Sequence, residues 1–103
     1  MKKYWENNLP PYSEEAEKSV LGAILLDNSS IHKVKAVIGK DDFYKSNHKS
    51  LYKAMVKLSE KGESLDVLTL SSELKERKIL EEMGGLPWLS LLEDYMPTAT
   101  SIT

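Results

Sequence analysis

The sequence predicts an all-α fold, a compact orthogonal bundle of about five main helices, and three observations point there. Apolar residues recur at three- and four-residue spacing in successive stretches, which is the pattern of a helix with one buried face. Cap-forming residues precede those stretches and glycines close them. Sustained period-two alternation, the mark of a half-buried strand, is absent along the 103 residues.

Residues 1–12 read as a flexible arm, because Pro10 and Pro11 disfavour helix and leave Leu9 and Tyr12 to anchor the chain. The first helix is SEEAEKSVLGAILLD, residues 13–27. Ser13 is its N-cap, and Glu14, Glu15 and Glu17 place negative charge where the helix dipole favours it. Ala16, Val20, Ala23 and Ile24 share a face that Leu21, Leu25 and Leu26 widen. Gly22 weakens a helix interior by about 1 kcal/mol relative to Ala, so its presence points to the close approach of a neighbouring helix.

Asn28, Ser29 and Ser30 form a turn and cap a second, shorter helix with Ile31, Val34, Val37 and Ile38 inward and Gly39 at its end. In the loop that follows, Phe43 and Tyr44 plug the junction. The third helix runs from Asn47 to Lys61, with Leu51, Ala54, Met55 and Leu58 on one face, and Gly62 stops it. Thr69 caps a fourth helix, with Leu70 and Leu74 inward and Glu73, Lys75, Glu76 and Arg77 outward. After the turn at Gly84 and Gly85, Pro87 opens a fifth helix that ends near Met96. Leu91, Tyr95, Trp88, Leu92, Met96 and Leu89 cover an arc of roughly 160° on it, wider than a surface helix needs, so part of that face is spare. A single head domain over residues 13–97 follows, with residues 98–103 beginning another segment.

A 41% apolar composition without low-complexity tracts fits one self-supporting core. Cysteine is absent, which removes disulfides and thiolate metal sites. No signal-peptide or membrane-spanning pattern is present, so the expected location is the cytoplasm. The net charge of −2 argues against a general nucleic-acid binder, but the charge is uneven. Residues 33–61 carry a balance of +5 and residues 63–96 a balance of −5, a dipole suited to head-to-tail or heterotypic contact.

No catalytic, cofactor or metal site is expected. The Gly39–Lys40 pair has Val34 where a P-loop needs glycine to let backbone amides cradle phosphate. His32 and His48 lack local ligand partners and read as solvated or capping residues. The adjacent pairs Asp41–Asp42 and Glu81–Glu82 diverge, which makes solvation rather than shared acid–base work their natural role. A helix-turn-helix within LTLSSELKERKILEEMGGL would need a groove-reading element after the turn, and that element has Glu81, Glu82, Pro87 and Trp88 but no lysine or arginine. A free-standing helical DNA-binding regulator is therefore only the alternative reading.

Taken in order, PPYSEEAEKSVLGAILLD, DFYKSNHKSLYKAMVKLSEKG, SLDVLTLSSELKERKILEEMGG and PTAT resemble the N-terminal domain of the bacterial replicative DNA helicase of the DnaB type, over about residues 9–100. The resemblance implies a non-catalytic assembly and interaction domain. In that family it precedes a helical hairpin and a RecA-like motor, and ATP and magnesium are expected only in that motor. The resemblance also implies self-association into the collar of a hexameric ring, docking of the primase C-terminal domain and contact with loader proteins in some systems, while the charge balance leads to the expectation of weak or absent DNA contact. Trp88 stands where the family often has tyrosine, and Ala99, Thr100 and Ser101 depart from its usual pattern.

Two residues are carried over to the primase-facing surface by this resemblance. Glu15 matches the glutamate at the start of the first motif, and Trp88 the aromatic of a GGxxY-like segment. Each also has a plain structural role open to it, Glu15 as a first-turn acid and Trp88 as a core aromatic. A separate candidate is the basic row Lys49, Lys53, Lys57 and Lys61, four apart on the third helix. Its like-charge pairs cost about 0.2–0.5 kcal/mol each, which a solvated face tolerates and an acidic partner or DNA would offset.

Overall fold

The computed structural model describes residues 13–95, and within them every regular element is helical. The expected arm over residues 1–12, Met96 and the segment 98–103 lie outside the described residues. In chain order the α-helices are α1 (Glu14–Leu26), α2 (Ile31–Val37), α3 (Ser46–Glu60), α4 (Val67–Glu76), α5 (Leu80–Met83) and α6 (Gly85–Glu93). Short 3-10 turns at Asn28–Ser30 and Lys40–Asp42 flank α2. The fifth expected helix is thus preceded by a single separate turn of helix, α5.

Ser13 Oγ accepts the Ala16 amide at 3.2 Å and starts α1 as expected. From there α1 packs against α3 and α6, and α4 closes the core against the same two helices. Leu21, Ile24, Leu51, Met55, Leu70, Leu74 and Leu89 are fully enclosed at the centre. Gly22 does face a neighbouring helix: a Cβ there would lie 3.5 Å from the Tyr95 carbonyl and 3.8 Å from that of Leu92.

Several residues expected inside are outside, for geometric reasons. Leu26 is 67% exposed because it stands about 200° around α1 from Ile24. Val37 points away from Ile31, the one buried residue of α2, and is 59% exposed. Phe43 is buried, but its extended backbone turns Tyr44 to the opposite side, so only the phenylalanine plugs the junction. Leu91 lies about 200° from Leu89 on α6 and forms the spare edge of that helix. Ile38, in extended conformation, rather than Gly39, ends α2.

Two polar residues were expected outside and are inside. Glu73 is 8% exposed and His48 only 1%. Both have partners that neutralise the cost of burial: Arg77 Nε donates to Glu73 at 2.9 Å, and His48 Nδ1 meets Glu17 at 2.6 Å. At α4 the N-cap is Asp66, three residues before Thr69. Asp66 accepts the Thr69 amide and Thr69 Oγ1 accepts the Asp66 amide, a reciprocal capping box.

Candidate functional site

Trp88 is placed by the turn before it. Gly84 adopts φ +117 between α5 and α6, and a Cβ on it would sit 2.8 Å from the Trp88 Cβ. Glycine is required there on both counts, conformation and space. The indole is half-buried, and its ring lies 28° from the plane of His48 with centroids 6.2 Å apart. His48 is in turn edge-on to Phe43. An aromatic column therefore runs from the surface at Trp88 to the interior.

Around Trp88 lies a hollow of about 220 Å³ between α1 and α6, bordered by Glu14, Lys18, Leu91 and Tyr95. Glu14 forms ion pairs with Lys45 at 3.5 Å and with Lys18 at 3.8 Å. Lys18 Nζ also stands 5.8 Å from the Tyr95 ring centroid, within cation–π range. Trp88, Leu91 and Tyr95 are spaced i, i+3 and i+7 on one side of the chain leading out of α6, and Leu91 is 72% exposed. Glu15 is exposed on α1, beside Glu14, and its backbone carbonyl accepts the Ser19 hydroxyl. Glu14 and Lys18, and not Glu15, are the α1 residues that border the hollow with Trp88. The family resemblance marked Trp88, and the wide apolar arc of the last helix marked Leu91 and Tyr95; Lys18 and its neighbour across Glu14, Lys45, carry no sequence signal that would single them out.

Each four-residue step turns about 40° around a helix, so the lysine row winds around α3 and its members border different hollows. Lys53 and Lys57 border a groove of about 450 Å³ together with Lys35, Lys40 and Arg77. Lys61 borders a different hollow with Glu63, Leu68 and Glu76. Lys49 is half-buried and lines neither. Under the groove, the Tyr52 hydroxyl donates to the Ile38 carbonyl at 2.7 Å. Burial, then the charge of Asp42, raises its pKa above the ordinary 10.0. Glu73, beneath Arg77, is shifted the other way, below 4.5: the Arg77 hydrogen bond lowers it, partly opposed by burial, with Lys61 and Lys57 adding their fields.

No group of three or more His, Cys, Asp or Glu side chains among the described residues is placed to hold a metal ion. Nor is any described helix long and apolar enough to cross a membrane.

The fold and its surface define a small all-helical domain with an aromatic-floored hollow at the seam of its first and last described helices. The family model described as DnaB-like helicase N terminal domain matches residues 9–103, and the chain belongs to that family. Among curated relatives, the replicative DNA helicase DnaC of Bacillus subtilis is 42% identical over 96 residues, covering 93% of this chain and 21% of that protein. The replicative DNA helicase DnaB of Geobacillus stearothermophilus is 36% identical over 102 residues, covering 99% of this chain and 22% of the relative. The chain therefore spans about a fifth of the length of these relatives. A crystal structure of the N-terminal domain of DnaB helicase from Mycobacterium tuberculosis superposes with a TM-score of 0.82 at 38% identity, covering 89% of this chain and 67% of that one.

Proposed function

We propose that this domain is the non-catalytic head of a hexameric replicative DNA helicase in the bacterial cytoplasm. It supports the ring collar through self-association and docks the C-terminal domain of primase, with loader contact as a further use of the same head. ATP and magnesium belong, on this reading, to a motor elsewhere in the full-length protein, and DNA contact by the head is weak. Family membership supports the assignment to a helicase, as do the names of the relatives and the one-fifth coverage.

The observation that carries docking is the rim of α6. Trp88 is held half-buried while Leu91, one turn on, presents its side chain to solvent beside the Glu14, Lys18 and Lys45 charges. A rigid aromatic flanked by an exposed aliphatic side chain and by charges that fix orientation is the composition of an interface anchor. Glu15, exposed on α1, is assigned to the charged margin of the same surface.

The test is calorimetric titration of the full-length protein with the primase C-terminal domain, comparing wild type with Glu15→Ala, Trp88→Ala and Leu91→Glu. Truncation of anchors is expected to weaken binding about ten-fold or more. Leu91→Glu is the informative variant for folding, since its side chain is exposed and its helicity and melting are expected to match wild type. Unchanged affinity in all three correctly folded variants overturns the docking assignment.

A further inference from the structure

Lys35, Lys40, Lys53, Lys57 and Arg77 come from four separate elements and converge on the groove of about 450 Å³ described above. Among the described residues Glu60 is the one carboxylate on its border, and it pairs with Lys35 at 3.9 Å. Lys40 leans on Asp41, and Arg77 is committed to Glu73. Lys53 and Lys57 make no ion pair within 4 Å among the described residues, although the field of Lys57 reaches Glu73. The floor beneath these cations is apolar, formed by the partly buried Ile38 and Val56 beside the edge of Tyr52.

We infer that this groove is a second docking site, separate from the Trp88 rim, and that it takes an acidic peptide segment of a partner protein carrying an aliphatic anchor. Charge complementarity selects the occupant: two lysines four residues apart on one helix, neither in an ion pair within 4 Å among the described residues, favour carboxylates spaced along a chain, and the floor between them favours an aliphatic side chain. The same floor argues against single-stranded nucleic acid. Stacking of bases uses an open aromatic face, whereas Tyr52 is 2% exposed, tilted against Phe43 at 5.1 Å and tied by its hydroxyl to Ile38. Backbone pairing with the peptide is not required, because the Ile38 amide and carbonyl and the Gly39 amide and carbonyl are each already bonded within the chain.

The test uses a fluorescein-labelled peptide of alternating Glu-Glu-Leu triplets and measures its anisotropy against the 103-residue chain. An all-glutamate peptide of equal length and an oligothymidylate of equal charge serve as comparison probes. The leucine-bearing peptide is expected to bind most tightly. Lys53→Glu with Lys57→Glu is expected to weaken it about ten-fold or more, while Lys33→Glu with Lys75→Glu, an equal change of charge outside the groove, has a much smaller effect. Lys53→Gln with Lys57→Gln gives the same direction should the reversal disturb Glu73. Amide chemical-shift changes from the peptide are expected at Ile38, Gly39 and Val56.

Equal binding of the all-glutamate peptide, tighter binding of oligothymidylate, or no binding by the leucine peptide overturns the inference. So does concentration-dependent self-association of the free chain that Lys53→Glu with Lys57→Glu abolishes, since a second copy would then be the occupant. Primase affinity is unaffected by the groove variants if the two sites are separate, so this result stands or falls independently of the Trp88 assignment.

Discussion

Nδ1 of His48 on α3 lies 2.6 Å from Oε1 of Glu17 on α1, with the histidine side chain 2% exposed and the glutamate 11%. The glutamate does more than hold the ring. Its carboxylate also accepts the amides of Tyr44 at 2.6 Å and Lys45 at 3.4 Å, the last backbone donors before α3. Lys45, the N-cap of α3, offers no side-chain cap of its own. Glu17 therefore supplies from another helix the acceptor and negative charge that a helix N-terminus favours. Through His48 it also sets the surface against which Trp88 stacks.

Removing that carboxylate is expected to strand a buried imidazole and two amides together. Glu17→Ala is predicted to cost about 3 kcal/mol and Glu17→Gln about half as much. Urea denaturation with an unchanged slope measures both, and a loss below about 0.5 kcal/mol for Glu17→Ala would show that the contact matters little.

Asn28 acts as a long-range clamp. Its amide donates to the carbonyls of Ile24 at 2.9 Å and Leu65 at 3.0 Å, and its Oδ1 accepts the Leu65 amide at 2.8 Å. It thereby pairs with both backbone groups of a residue 37 positions away. Asn28→Ala is expected to destabilise by about 2 kcal/mol. Asn28→Asp, which turns a carboxylate on two carbonyls, is expected to lose at least as much, whereas Ser29→Ala on the exposed side changes melting much less.

The Glu73–Arg77 pair makes part of the stability depend on pH. Because the folded-state pKa of Glu73 lies below 4.5, its stabilisation is complete above that value and is lost as pH falls through the depressed one. The stability gap between wild type and Glu73→Gln is therefore expected to narrow between about pH 6 and about pH 3. Denaturant titrations at both values check this, and a gap that widens on acidification contradicts the assignment.

Lys78 closes α4 in the left-handed conformation, φ 63, a position that favours glycine. The Ile79 amide reaches back to the Leu74 carbonyl and the Lys78 amide to that of Lys75, a complete Schellman closure. Gly62 occupies the corresponding place after α3, with Glu63 bonded to Leu58 and Gly62 to Ser59. Lys78→Gly is expected to stabilise the domain by about 0.5–1 kcal/mol, visible in calorimetry as a higher Tm. Loss of stability would show that the lysine side chain holds the turn by some other contact.

Local chemistry read along the chain set the helix starts and stops that depend on neighbours in sequence: Ser13 before α1, Gly62 after α3, the break at Gly84. It also located most of the core, because Leu51, Ala54, Met55 and Leu58 can share a face in only one conformation. It misread Glu73 and His48, since a polar residue on a helix has a solvated face as its default until a partner is known. Arg77 was one turn away, but Glu17 was 31 positions distant, and no periodicity reveals such a pair. The resemblance marked Trp88 through its GGxxY-like segment, whereas the reason for the glycine at 84, a Trp88 Cβ only 2.8 Å from where its own Cβ would lie, appears only in the tertiary structure.

What the sequence by itself determined is the set of amphipathic helices, their order and their family, because these follow from short-range periodicity, capping and the succession of motifs. Only the tertiary structure decided which edge of each helix stays dry, and with it the surface features proposed for docking. Helix rotation is set by packing between elements: turning α6 to bury Leu89 and Leu92 leaves Leu91 outward, and winding α3 sets Lys53 and Lys57 on one groove and Lys61 on the border of another hollow.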